Sequence, residues 1–234
     1  MKRIYLHSAY ERIWHWGQAL AITLLLVTGM EIHFPQRFAL LGFETAVSVH
    51  NVLGFLLLAN AFLGLFYELS TGAIRAYIPE PRDFISLATR QLVYYTKGIF
   101  RGAPHPIAKS HDKRFNPLQQ LTYLAILNVL LPGQIITGLL MWGGQRWPEL
   151  VAAVGGLATL AAIHTLFAWL FAAFVLMHIY LTTTAGPRWR SGIVGMITGW
   201  EELEAPTFND DSKNAPSAQP APAAKAPRAE EETA

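Results

Sequence analysis

The sequence predicts an all-α fold, a four-helix transmembrane bundle with short interfacial helices. Hydrophobic residues make up 52% of the 234-residue chain and charged residues only 15%, less charge than a soluble domain carries. Four apolar stretches approach or exceed the roughly 20 residues that cross about 30 Å of hydrocarbon. The basic residues fall in blocks between those stretches.

The spans are predicted near Trp14 to Met30, Val47 to Leu69, Leu118 to Trp142 and Leu157 to Thr184. The first is short, but no small-residue cleavage site ends it and Trp14, His15 and Trp16 stand at its start, so it is expected to be retained as a span. Lys2, Arg3 and Arg12 precede it, and Arg75, Arg82, Arg90, Lys97, Arg101, Lys109, Lys113 and Arg114 crowd the link between spans two and three. The other two links hold only Arg37 and Arg146. The excess of Lys and Arg therefore predicts that both termini and the long middle link are cytoplasmic, with the short links outside.

Within the middle link, apolar residues from Asp83 to Phe100 recur at helical spacing, which suits either a helix on the membrane face or a solvated loop. Ser191 to Glu202, after the break at Gly186 and Pro187, is predicted as a second short helix. From Ala205 the chain is rich in Ala, Pro and charge. Residues 1–204 are thus expected to form one membrane domain and 205–234 a disordered cytoplasmic tail.

There are no cysteines, which removes disulfides, thiolate metal sites, iron–sulfur clusters and covalently attached haem. A net charge of +2 gives no reason to expect nucleic acid as a partner. Eight histidines are present, and an ionisable side chain inside an apolar span is a functional hypothesis in its own right.

His164 and His178 are 14 residues apart on the fourth span, so they point within about 40° of each other and lie about 21 Å apart along the helix. His15 begins the first span, at the depth of His178, and His50 begins the second, at the depth of His164. Imidazole is a standard axial haem ligand. The four-helix bundle is therefore expected to enclose two b-type haems, one between His15 and His178 and one between His50 and His164.

Gly29 follows His15 by 14 residues and Gly64 follows His50 by 14. Each glycine therefore faces as its own histidine does, but at the level of the other pair, where a residue without a side chain lets a macrocycle approach the backbone. Small-residue helix packing is the competing explanation. Arg12, Arg188 and Arg190 fall near the inner pair as candidate donors to haem propionates, although basic residues also belong at this boundary on topological grounds. His33 lies at the outer end of the first span, and His7, His105 and His111 lie in polar segments.

Arg12-Ile-Trp-His-Trp, His50-Asn-Val-Leu-Gly54, Phe115-Asn-Pro-Leu-Gln-Gln, Thr137-Gly-Leu-Leu-Met-Trp142, Gly195-Met-Ile-Thr-Gly199 and the pair His164/His178 resemble the four-helix di-haem cytochrome b family. That family includes the formate dehydrogenase gamma subunit, the nickel–iron hydrogenase cytochrome b and the thiosulfate-reductase-type cytochromes, the last being most alike in the Asn-Pro-Leu-Gln start of span three. The likeness covers Tyr5 to Gly199. It implies a subunit of the bacterial inner membrane that exchanges electrons between an extracytoplasmic redox partner, an iron–sulfur or multihaem protein, and a pool of menaquinone or ubiquinone.

The resemblance further implies a quinone site at Asn116, Gln119 and His178. Asn116-Pro117 with Gln119 also reads as an N-cap, a proline at the first helical position and a capping-box partner, and both explanations stand. No substrate site, flavin motif or metal site beyond the haems is evident, so the chain reads as one subunit of a larger respiratory oxidoreductase. The alternative is a self-sufficient membrane haem oxidoreductase of the superoxide oxidase or ferric reductase type.

Overall fold

The structure is a computed structural model and describes residues 2–78, 84–103, 117–184 and 190–203. Its elements are strand β1 (Lys2–Tyr5), helices α1 (Ala9–His33), α2 (Phe43–Thr71), α3 (Phe84–Val93), α4 (Pro117–Trp142), α5 (Pro148–Ala153), α6 (Gly156–Thr184) and α7 (Ser191–Thr198), and strand β2 (Trp200–Leu203). Four helices, α1, α2, α4 and α6, are long and apolar enough to cross a membrane, with 25, 29, 26 and 29 residues. The fold is the expected all-α transmembrane bundle. α1 packs along α2, α4 packs along α6, and α2 touches α4.

α1 starts at Ala9, before its apolar stretch, because Ser8 caps it. The Glu11 N–H donates to Ser8 Oγ at 3.2 Å, and the Ser8 N–H donates to a Glu11 carboxylate oxygen at 2.7 Å. This reciprocal capping box satisfies donors that the first turn would otherwise leave orphaned. At its other end, Glu31 is 1% exposed, and its carboxylate accepts from the backbone N–H groups of Leu40, Leu41 and Gly42 at 2.7 to 3.1 Å. A buried carboxylate is tolerable when it is so fully hydrogen-bonded. Here it ties the end of α1 to the start of α2.

α4 runs through Pro132 without ending. Pro132 has no N–H to give the carbonyl one turn back, and the helix widens to a π turn at Ile126–Leu130 just before it. A Cβ on Gly133 would run into the ring of Phe167 on α6. Glycine at this point therefore serves close packing of α4 on α6.

The link between α2 and α4 contains α3, which is helical over Phe84–Val93 within the predicted 83–100 stretch, followed by a π turn at Tyr94–Gly98 and a 3-10 turn at Ile99–Arg101. The last helix is shorter than the predicted 191–202. Gly199 adopts φ +86° and ends α7, and a Cβ there would come within 2.7 Å of the His7 carbonyl oxygen, so only glycine fits. The chain then forms β2, antiparallel to β1, with Tyr5 opposite Trp200 and Lys2 opposite Leu203. This β-clasp joins both ends of the described chain at one end of the bundle, called the clasp end below. The tail predicted over 205–234 lies outside the described residues.

Candidate functional site

Two pairs of imidazoles face each other across the bundle. At the clasp end, His15 on α1 and His178 on α6 have ring centroids 6.0 Å apart with planes at 50°. At the far end, His50 on α2 and His164 on α6 have centroids 6.3 Å apart with planes at 67°. Because α6 is continuous over Gly156–Thr184, the levels of His164 and His178 are about 21 Å apart along it.

The separation suits one metal ion between each pair. Two nitrogen–metal bonds of about 2 Å plus roughly 1.1 Å from each nitrogen to its ring centre place the centroids about 6.2 Å apart. Among the described residues no cluster of three or more His, Cys, Asp or Glu side chains could hold a metal. A donor set of two opposed imidazoles fits a group that brings its own equatorial donors and needs only axial ligands, as haem does.

The far level is built from a repeated unit. The hydroxyl of Thr28 on α1 lies 2.9 Å from Nδ1 of His50, and that of Thr137 on α4 lies 2.9 Å from Nδ1 of His164. The residue after each threonine is a glycine under the same ring: a Cβ on Gly29 would stand 3.3 Å from Cε1 of His50, and one on Gly138 would stand 3.2 Å from Cε1 of His164. The Gln134 amide also contacts Nε2 of His164 at 3.0 Å. Gly29 thus lies against an imidazole of the far pair.

The clasp level is walled by aromatic rings. Trp16 lies edge-on to His15 at 5.4 Å, and Phe174 stacks on His178 at 5.7 Å. Nδ1 of His15 is buried without a hydrogen-bond partner among the described residues. A Cβ on Gly64 would come within 2.5 Å of the Trp14 indole, whose N–H donates to the Asn60 carbonyl at 2.9 Å. What occupies the space over Gly64 is therefore Trp14, the neighbour of His15.

Arg12 donates to the Ile197 carbonyl of α7 at 2.5 Å and to the Ser8 carbonyl at 3.4 Å, binding α1 to the last turn of α7. Gln119 is half-buried in the first turn of α4. Asn116 and Arg188 lie outside the described residues, as do His105 and His111. His33 is exposed at the end of α1 with its ring edge-on to Phe34, and His7 sits 3.7 Å from Glu201 across the clasp. The 14-residue rule started from histidines and so passed over Thr28, Thr137, Gly138 and Gln134. The signal that would have found them is the Thr-Gly pair at 28–29 and again at 137–138, near the C-terminal ends of α1 and α4.

Residues 6–199 match the family model of prokaryotic cytochrome b561. A putative cytochrome of Escherichia coli K12, YdhU, is 36% identical over 78% of this chain and 69% of its own length. A putative protein-methionine-sulfoxide reductase subunit of Azospira oryzae, YedZ1, is 25% identical over 85% of this chain and 98% of its own. A probable Ni/Fe-hydrogenase B-type cytochrome subunit of Rhodobacter capsulatus is 25% identical over 89% of this chain and 83% of its own. The chain belongs to the prokaryotic cytochrome b561 family, and so is a b-type haem protein of bacterial membranes with an electron-transfer role.

Proposed function

We propose that this cytochrome is the membrane subunit that carries electrons between an extracytoplasmic redox partner and the quinone pool through two b haems. His15 and His178 hold one haem at the clasp end, and His50 and His164 hold the other at the far end. The observation that carries this reading is the pair of facing imidazoles at each of two depths, about 6 Å apart in both cases.

Held by these histidines, each haem would supply a one-electron iron couple, chemistry that suits electron transfer. The protein's own part is positioning. α6 supplies one ligand to each level, so one rigid helix sets the distance between the two redox centres, while α1 and α2 supply the opposing imidazoles. Ligation through Nε2 of His164 requires the Gln134 amide to swing away from that nitrogen.

The positive-inside distribution of Lys and Arg supports a clasp end in the cytoplasm and a far end outside. The redox partner then meets the far level. That relatives carry names of a hydrogenase and of a reductase subunit supports a partner that varies from one relative to another around a common cytochrome. The quinone site belongs at the clasp level by the resemblance, with Asn116, Gln119 and His178 as candidate contacts. Electrons moving from the far level to a quinone that takes its protons from the cytoplasm add to the membrane potential, each charge being worth about 2.3 kcal/mol per 100 mV.

The test is a redox titration of the purified, haem-loaded protein with and without a quinone-site inhibitor. The inhibitor is expected to shift the spectrum or potential of the clasp-level haem alone, and Asn116→Ala to weaken that response with both haems in place. A response of the far-level haem that survives Asn116→Ala places the quinone outside and reverses the electrogenic argument. Oxidation of superoxide, or reduction of ferric ions, by the purified protein without any partner favours a self-sufficient oxidoreductase.

A further inference from the structure

We propose that Thr28 and Thr137 are positioning residues for the far-level haem: each hydroxyl accepts a hydrogen bond from Nδ1–H of its histidine, leaving Nε2 for iron and lowering that haem's potential. The inference rests on the far-level ligand pair proposed above, and concerns what fixes those ligands.

The direction of the hydrogen bonds follows from counting donors. Thr28 Oγ1 lies 2.8 Å from the Leu24 carbonyl and 2.9 Å from Nδ1 of His50; Thr137 Oγ1 lies 2.7 Å from the Gly133 carbonyl and 2.9 Å from Nδ1 of His164. A hydroxyl has one proton and a carbonyl can only accept. Both contacts are satisfied together only when the hydroxyl donates to the carbonyl and Nδ1–H donates to the hydroxyl.

Threonine back-bonding to the previous turn is common and needs no ligand. Thr23 and Thr122 do so at 2.8 and 2.9 Å on exposed faces with no histidine attached. Thr28 and Thr137 differ: they are two of the four buried polar side chains among the described residues, at 3% and 6% exposure. Each reaches the ring opposite it on the neighbouring helix, and each is followed by the glycine that lets that ring approach. An acceptor on Nδ1–H fixes the tautomer and ring orientation of a metal-bound histidine and makes it more basic. A more basic ligand favours ferric iron, so the potential falls. At the clasp level Nδ1 of His15 has no such acceptor among the described residues.

The experiment is a spectroelectrochemical titration, with electron paramagnetic resonance of the low-spin ferric signals, on haem-loaded Thr28→Val, Thr137→Val, the double variant, and the matching serine variants. In each valine variant the far-level potential is expected to rise and its ferric signal to move, with the largest shift in the double variant, while the clasp-level haem stays as in the parent and the serine variants recover the parent values. Where a valine variant sheds the far haem, retention in the serine variant supports the hydroxyl and loss in both overturns it. Unchanged far-level potentials in both valine variants, or equal shifts in valine and serine, also overturn it. A parent protein with one haem, or a His50→Ala variant that keeps two, removes the ligand pairing itself and is read separately from haem count.

Discussion

The far and clasp levels use the same helices under different restraint. At the far level α1 offers Thr28-Gly29 to His50 on α2, and α4 offers Thr137-Gly138 to His164 on α6, so the two helical hairpins repeat one unit. At the clasp level nothing repeats. His15 and His178 come from α1 and α6, the matching place on α2 is Gly64 under Trp14, and the residue 14 before Gly138 on α4 is Leu124. The far imidazoles are oriented by hydrogen bonds as well as packing, and the clasp imidazoles by aromatic neighbours. A histidine whose Nδ1–H meets an acceptor is a more basic ligand.

The largest effect that would break this comparison comes from filling the glycines. Gly29→Leu or Gly138→Leu places a branched side chain where the ring of His50 or His164 lies, 3.3 and 3.2 Å from the new Cβ. Either variant is expected to lose most of the far haem and keep the clasp haem, measured by haem content and low-temperature spectra. Gly64→Leu displaces Trp14 and is expected to affect the clasp haem. If Gly64→Leu instead depleted the far haem, the levels would not be separately built. At the milder Gly64→Ala, overpacking against the indole is expected to cost about 1–3 kcal/mol in thermal or denaturant stability.

The two ends of α1 sharpen the same contrast at smaller scale. Glu31→Gln keeps the shape but replaces charge-assisted hydrogen bonds from three backbone N–H groups. A loss of about 2 kcal/mol is expected, with the far haem more easily released. Ser8→Ala removes the capping-box hydroxyl at the clasp end, for about 1 kcal/mol and no change in far-level haem. Equal and small losses in both would mean that the buried carboxylate contributes no more than an exposed cap.

The parts of this molecule legible in its sequence are those that depend on period and length. The spans follow from hydropathy, and the facing of His164 with His178 follows from 14 residues of helix. The helix ends were less legible, because Ser8 with Glu11, and Glu31 with the loop backbone, work through polar contacts that an apolar count leaves out. The β-clasp joins residues nearly 200 positions apart, and nothing local in Lys2–Tyr5 announces its partner. Thr28 and Thr137 escaped for a chemical reason: a helical threonine ordinarily bonds its own backbone, and only the position of a neighbouring helix shows which one bonds an imidazole too.

The central claim is that ligands pair by depth. Its most direct test is haem analysis of His15→Ala, His50→Ala, His164→Ala and His178→Ala, with the remaining haem assigned by its potential and ferric signal. The parent is expected to carry two acid-extractable b haems per chain. His50→Ala and His164→Ala should leave the same single haem, and His15→Ala and His178→Ala should leave the other. A parent with one haem, or His50→Ala and His178→Ala losing the same haem, would contradict the pairing.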